Sequence, residues 1–139
     1  MLAAAGCGGS KESKAPPPIA SAQPFADTFM HNLVVVDTWD AVAPDVSPIL
    51  TVPLRRFQAT LRSSGIRKVQ GSGKLRHDCP PAKTVGAGKD CFVYTLLGRQ
   101  LVPAGGVVTT KSRFRLWPEY TDGQWQVVNY DYDLLPSAS

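Results

Sequence analysis

The chain has 139 residues, 43% of them hydrophobic and 19% charged, which suits one ordinary domain with a true core and excludes a chain disordered throughout. A formal net charge of +4 is too small by itself to argue for nucleic acid as a partner. No apolar run reaches the about 18 residues that a membrane-spanning helix needs.

The chain opens MLAAAGCGGSKESKAPPP. Leu2-Ala3-Ala4-Ala5-Gly6-Cys7 resembles the lipobox of bacterial lipoproteins, where small residues precede a cysteine that receives a diacylglycerol before cleavage. Ala5 and Gly6 fit the two positions ahead of the cut, and Ala4 stands where a larger aliphatic residue is usual. A secretory leader has a positive start and an apolar stretch of roughly 7–15 residues. Met1 to Ala5 is shorter than that, so a start farther upstream is expected. After Cys7, the Gly, Ser and Pro residues favour solvated, extended chain. Residues 8–23 can reach on the order of 50 Å at roughly 3.3 Å per residue. Residues 1–23 are therefore read as a truncated signal remnant, a lipidation site at Cys7 and a flexible tether. The resemblance implies a protein lipid-anchored to a bacterial membrane in the cell envelope, facing periplasm or exterior.

A helix is expected from Pro24, with Phe25, Phe29, Leu33 and Val36 on one face and Ser21 as its cap. The β-branched run Leu33-Val34-Val35-Val36 leaves a strand as the alternative there. Pro44 and Pro48 then break the chain. A second helix can start at Pro53, with Leu54, Phe57 and Leu61 as its stripe, Arg55, Arg56 and Arg62 away from it, and Gly65 as its stop.

Beyond Gly65 the period becomes two. Val69, Gly71, Gly73 and Leu75 share one side of a strand whose glycines suggest a bulge or bend. CFVYTLLGRQL is strand-prone. In the next strand Val108, Thr110, Ser112, Phe114 and Leu116 alternate with Thr109, Lys111, Arg113, Arg115 and Trp117. Asp122-Gly123 marks a tight hairpin turn. In the last strand Val128, Tyr130, Tyr132 and Leu134 form one face, and Trp125, Val127, Asn129, Asp131 and Asp133 the other. Helices followed by an antiparallel meander predict an α+β class: N-terminal helices packed on a curved, mainly antiparallel sheet of about four strands. Residues 24–135 would be that single domain and 136–139 a tail.

Cys79 and Cys91 flank a Pro-, Gly- and Lys-rich loop. In an exported domain such a pair reads as a disulfide, contributing about 3 kcal/mol for a loop of this size. Zinc held by His77, Cys79 and Cys91 is the rival, without a C-x-x-C or a second nearby histidine to support it.

The piece FRLWPEYTDGQWQVVNYDYDL resembles the closing strands of nuclear-transport-factor-2-like domains, the cystatin-like α+β roll. The resemblance covers about residues 22–135 and implies a cone-shaped pocket between sheet and helices. Some relatives use that pocket for isomerase or dehydratase chemistry, others bind ligands, and others serve as assembly modules. Pro44, Pro48 and Pro53 depart from the helix usual in that region.

For catalysis the candidates are Asp131 and Asp133 with Tyr130 and Tyr132, and His77 or His31. Alternation works against them, because tyrosines facing the pocket turn the aspartates away. Charge is unevenly spread. Arg55, Arg56, Arg62, Arg67, Lys68, Lys74 and Arg76 fall in a segment without acid, and Glu119, Asp122, Asp131 and Asp133 follow the last cation. Such asymmetry suits anionic headgroups, cell-wall polymer or an acidic partner. The expectation is a non-enzymatic, tethered domain, without cofactor or metal, that binds an envelope protein or a small apolar ligand and no nucleic acid. Trp117, Trp125, Tyr130 and Tyr132 would make the contacts, with Lys111, Arg113 and Arg115 in support. A small isomerase or lyase using the roll pocket, or a structural envelope component without ligand, are the alternatives.

Overall fold

The computed structural model describes residues 16–80, 88–101 and 103–134. The lipidation candidate Cys7 and the tail at 136–139 lie outside the described residues. Helix α1 (Gln23–His31) follows a 3-10 turn at Ile19–Ala22 and runs on into a π turn at Asn32–Val36. Ala22, Ala26, Phe29, Met30 and Leu33 are its buried stripe. Pro24 sits in the first turn, where its missing N–H costs nothing.

Two details differ from expectation. Ser21 does not cap the helix; its hydroxyl donates to Pro18 O at 2.6 Å within the preceding turn. Val36 is exposed, and Val34 is buried in its place. The cause is the π turn, in which Asp37 N–H bonds to Asn32 O at 3.0 Å. The wider turn adds a residue and rotates the following side chains off the stripe. It also frees Leu33 O, which accepts a hydrogen bond from the buried Gln58 amide at 3.2 Å. A strand at residues 33–36 is thereby replaced by helical backbone.

The proline-broken segment forms a short helix α2 (Trp39–Val42) and 3-10 turns at Ala43–Asp45 and Pro48–Leu50. Helix α3 (Thr51–Ser63) begins two residues before Pro53, which occupies its first turn. Leu54, Gln58 and Leu61 are buried while Arg55, Arg56 and Arg62 are exposed. The Arg62 guanidinium grips Asp37 through Nε–Oδ2 at 2.7 Å, tying the end of α3 to the end of the π turn. Gly65 stops the helix with φ +76, a left-handed conformation that L residues avoid.

The strands are β1 (Ile66–Arg76), β2 (Cys91–Leu101), β3 (Val107–Thr121) and β4 (Gln124–Leu134). They form one antiparallel sheet in the order β1-β2-β3-β4. With the helices packed on one face, this is the α+β architecture expected. Asp122 and Gly123 both have positive φ, as a two-residue hairpin turn requires.

Bulges set the curvature. In β1 the register with β2 shifts between Gln70 and Lys74, around Gly71 and Gly73. In β4 it shifts beside Trp117 and Pro118, so that Val128 is the extra residue. That bulge overturns the alternation read for this strand. Val127 is buried and Trp125 half-buried in the main core, on the same side as Tyr130 and Tyr132, whereas Val128 packs on the opposite face. One inserted residue exchanges the faces of everything before it.

Candidate functional site

The space between helices and sheet is where a roll would hold a ligand. Phe29, Leu33, Leu54 and Leu61 enter it from the helices, and Phe92, Leu96, Phe114 and Leu116 from the sheet, all buried. Phe57 of α3 closes the remaining side. Its ring lies 5.7 Å from Phe114, 5.3 Å from Tyr130 and 4.8 Å from Tyr132, edge-on to the last. Tyr130 stacks on Phe114 at 5.7 Å. These side chains fill the interior as a packed aromatic core. Burial also raises the Tyr130 hydroxyl above its ordinary pKa, so it stays protonated.

Partly buried carboxylates outside the sequence candidates include, among the described residues, Asp45, whose pKa burial raises, and Asp27. Asp27 of α1 accepts at Oδ1 from the Tyr94 hydroxyl at 2.8 Å, the Gly73 amide at 3.0 Å and Gln23 Nε2 at 3.1 Å. Gln23 also donates to Gly73 O at 2.8 Å. The β1 bulge makes this possible: it turns the Gly73 amide toward the helix, and a Cβ at Gly73 would overlap the Tyr94 ring. Burial alone would raise the Asp27 pKa, but the Gly73, Tyr94, Gln23 and Ser72 donors together hold it below the usual carboxylate range. Tyr94 shifts upward, through burial and the adjacent carboxylate. Asp27 is thus a charged acceptor already engaged, and Tyr94 a proton donor already committed to it. The cluster clamps α1 to the bulged sheet. The signals in the sequence were the Gly71–Gly73 pair and an aspartate next to an apolar stripe, but nothing in the pattern linked them.

The outer face of the sheet carries most of the expected contact residues. Trp117 lies there yet is only 1% exposed. Cys79 and Cys91 are joined in a disulfide, with Cα atoms 6.2 Å apart, and both pack with the indole. Trp117 Nε1 donates to Gly88 O at 2.8 Å. With both sulfurs in the disulfide, the zinc alternative has no thiolates. His77 instead bonds Asp90 through Nδ1 at 2.8 Å on the exposed loop, and His31 is exposed on α1. Trp125 packs edge-on against Tyr120 at 5.3 Å.

Beside Trp117 runs a cross-strand charge ladder. Arg115 bonds Asp131 at 2.8 Å and Asp133 at 3.1 Å, and Arg113 bonds Asp133 at 2.9 Å. The register pairs Arg113 with Asp133 and Arg115 with Asp131. Asp131 and Asp133 thus neutralise Arg113 and Arg115, whereas in the basic 55–76 run Arg62 pairs with Asp37 and Arg76 with Asp78. Asp131 and Asp133 face away from Tyr130 and Tyr132, as alternation requires. Lys111, on the same face, sits opposite Leu97 nearer the β2–β3 hairpin.

Among the described residues, concavities mark the surface, one of them of about 220 Å³ beside Trp117, Gly88 and Val128. A second of about 170 Å³ lies between Arg76, Cys79, Val93, Arg113 and Arg115. Another of about 260 Å³, lined by Arg67, Lys68, Leu97, Gly98, Arg99 and Thr109, lies at the hairpin end. Among the described residues, no group of three or more His, Cys, Asp or Glu gathers as a metal site.

No family model and no curated protein matches the chain. Among solved structures, a chain described as "Putative calcium/calmodulin dependent protein kinase II association domain" from Xanthomonas campestris is similar to it. The two share 17% identity with a TM-score of 0.47, over 91% of this chain and 97% of the other.

Proposed function

We propose that this chain is a non-enzymatic binding domain of the cell envelope, tethered by a lipid on Cys7 and working through its exterior. The observation that carries this reading is the filled roll. Phe29, Phe57, Phe92, Phe114 and Tyr130 take the volume a ligand would need. Asp27 shares its Oδ1 among three donors, which commits that oxygen to holding the helix on the sheet rather than to proton abstraction. A small apolar ligand inside the roll is therefore disfavoured relative to a partner met at the surface. The tether follows from the lipobox resemblance and from the Gly-, Ser- and Pro-rich stretch behind it. The outer-face residues Arg113 and Arg115 then serve the sheet, pairing with aspartates, rather than a partner.

Two measurements test this. Mass spectrometry of the native protein should find an N-terminal diacylated Cys7; an intact leader with a free thiol there refutes the tether. Titration with a small aromatic such as benzene, followed by methyl and ring NMR shifts, should leave the Phe92 and Phe114 signals unmoved. Saturable one-to-one uptake that shifts them refutes the closed interior.

A further inference from the structure

We propose that the β2–β3 hairpin end docks on an anionic lipid bilayer, its apolar tip entering the interface and a set of cations behind it meeting the headgroups. The inference deepens the reading of a surface-acting domain and depends on it. Leu101 is 82% exposed, and Val107 and Val108, across the hairpin, are 49% and 39% exposed. The turn residues Pro103, Ala104, Gly105 and Gly106 are exposed and uncharged. Isolated exposed apolar residues need no explanation, but a protruding cluster on one hairpin does.

The cations stand in a second layer. Arg99 pairs in register with Thr109, two residues behind the Leu101–Val107 pair, and Lys111 with Leu97, four behind. At about 3.3 Å per residue these set-backs are about 7 and 13 Å. An interfacial element buries its apolar face roughly 5–10 Å deep, which brings Arg99 and Lys111 to headgroup level. Arg67 and Lys68 of β1 join Arg99 around the concavity of about 260 Å³. The sequence contains no Asp or Glu from Val46 to His77, nor from Cys91 to Pro118. The carboxylates from neighbouring elements are engaged, Asp37 with Arg62 and Asp131 and Asp133 with Arg113 and Arg115. An apolar tip in front of a cationic collar matches the layering of a bilayer better than the knob or groove of an acidic protein.

The test uses the full chain carrying Cys7→Ser, so that acylation plays no part, in co-sedimentation with vesicles of phosphatidylglycerol and phosphatidylcholine or of phosphatidylcholine alone. Binding should favour the anionic vesicles and weaken with salt. The double variant Arg99→Gln, Lys111→Gln should bind about 25-fold more weakly, about fivefold for each cation. Leu101→Asp should lose at least about tenfold. Arg56→Gln, which removes the same charge on α3, should bind like the parent. All are surface changes, and matching melting curves verify their folding. Equal partition onto neutral and anionic vesicles, or no partition, overturns the proposal. Hairpin variants that bind as well as the parent overturn it too. Retention on polyglutamate without partition onto vesicles overturns it in favour of an acidic protein partner. An unacylated Cys7 in native protein would leave all these readouts unchanged, so the tether and the docking surface fail separately.

Discussion

Asp27→Asn is the most informative single change, because it keeps the shape of the clamp and removes its charge. In the parent, Oδ1 receives three donors within 2.8–3.1 Å. A hydrogen bond to a charged group contributes about 1.5–3 kcal/mol against about 1 for a neutral pair. Neutralising the acceptor therefore costs roughly 0.5–1 kcal/mol at each donor, or about 2 kcal/mol after allowing for the half-exposed position of the carboxylate. For a domain of this size that is a fall in Tm of about 6–12 °C. The difference also depends on pH. The folded pKa of Asp27 lies below its ordinary value of 3.8. Its contribution is then complete above that value and is lost as pH falls through the folded pKa. Melting curves followed by circular dichroism should show the full gap between parent and variant at pH 7 and a narrowing gap below pH of about 3.8. Other carboxylates titrate equally in both proteins and cancel. A variant as stable as the parent at pH 7, or a gap that persists undiminished in acid, would refute the clamp.

Reducing the Cys79–Cys91 disulfide should cost about 3 kcal/mol through the entropy of its loop, and should red-shift tryptophan emission as the packing of the two cysteines on Trp117 loosens; unchanged emission would contradict the packing described. Arg115→Ala leaves Asp131, whose side chain is only 13% exposed, without its guanidinium, and should destabilise by about 2–3 kcal/mol in urea melts. The restoring change Asp131→Asn in that background should recover part of the loss, and additive losses in the double-variant cycle would show that the pair is not coupled. Phe57→Ala should cost about 3 kcal/mol and open the roll, so that benzene binds and raises its Tm while leaving the parent unaffected; such apolar cavities stay dry and accept small aromatics.

Much of the fold was legible because local chemistry and global position agreed. The stripes Phe29–Leu33 and Leu54–Leu61, the alternation through Phe114 and Leu116, the Asp122-Gly123 turn and the cysteine pair each carry their own periodic or conformational signature. Where the pattern misled, a single residue was out of step. The π turn moved Val36 out of the core, and the Val128 bulge carried Trp125 and Val127 onto the face of Tyr130. Insertions of this kind leave composition untouched and change only phase, which a periodicity cannot register until the partner strand is in place.

The candidate site was legible only in its parts. The residue types expected to matter on the outer face were correctly assigned to it, as with Lys111, Arg113, Arg115 and Trp117, because alternation decides which side a side chain takes. What each one does there depends on neighbours far along the chain. Arg115 meets Asp131 sixteen residues on, Trp117 packs with Cys79 and Cys91, and Asp27 finds Tyr94 sixty-seven residues away. Sequence alone determined the order of helices and strands and the face of strand residues up to the Val128 bulge, since backbone sterics and the hydrophobic pattern act over a few residues. Only the tertiary structure decided which charges cancel, which aromatics are covered and that the roll is full, because those outcomes depend on contacts that chain folding brings together from distant positions.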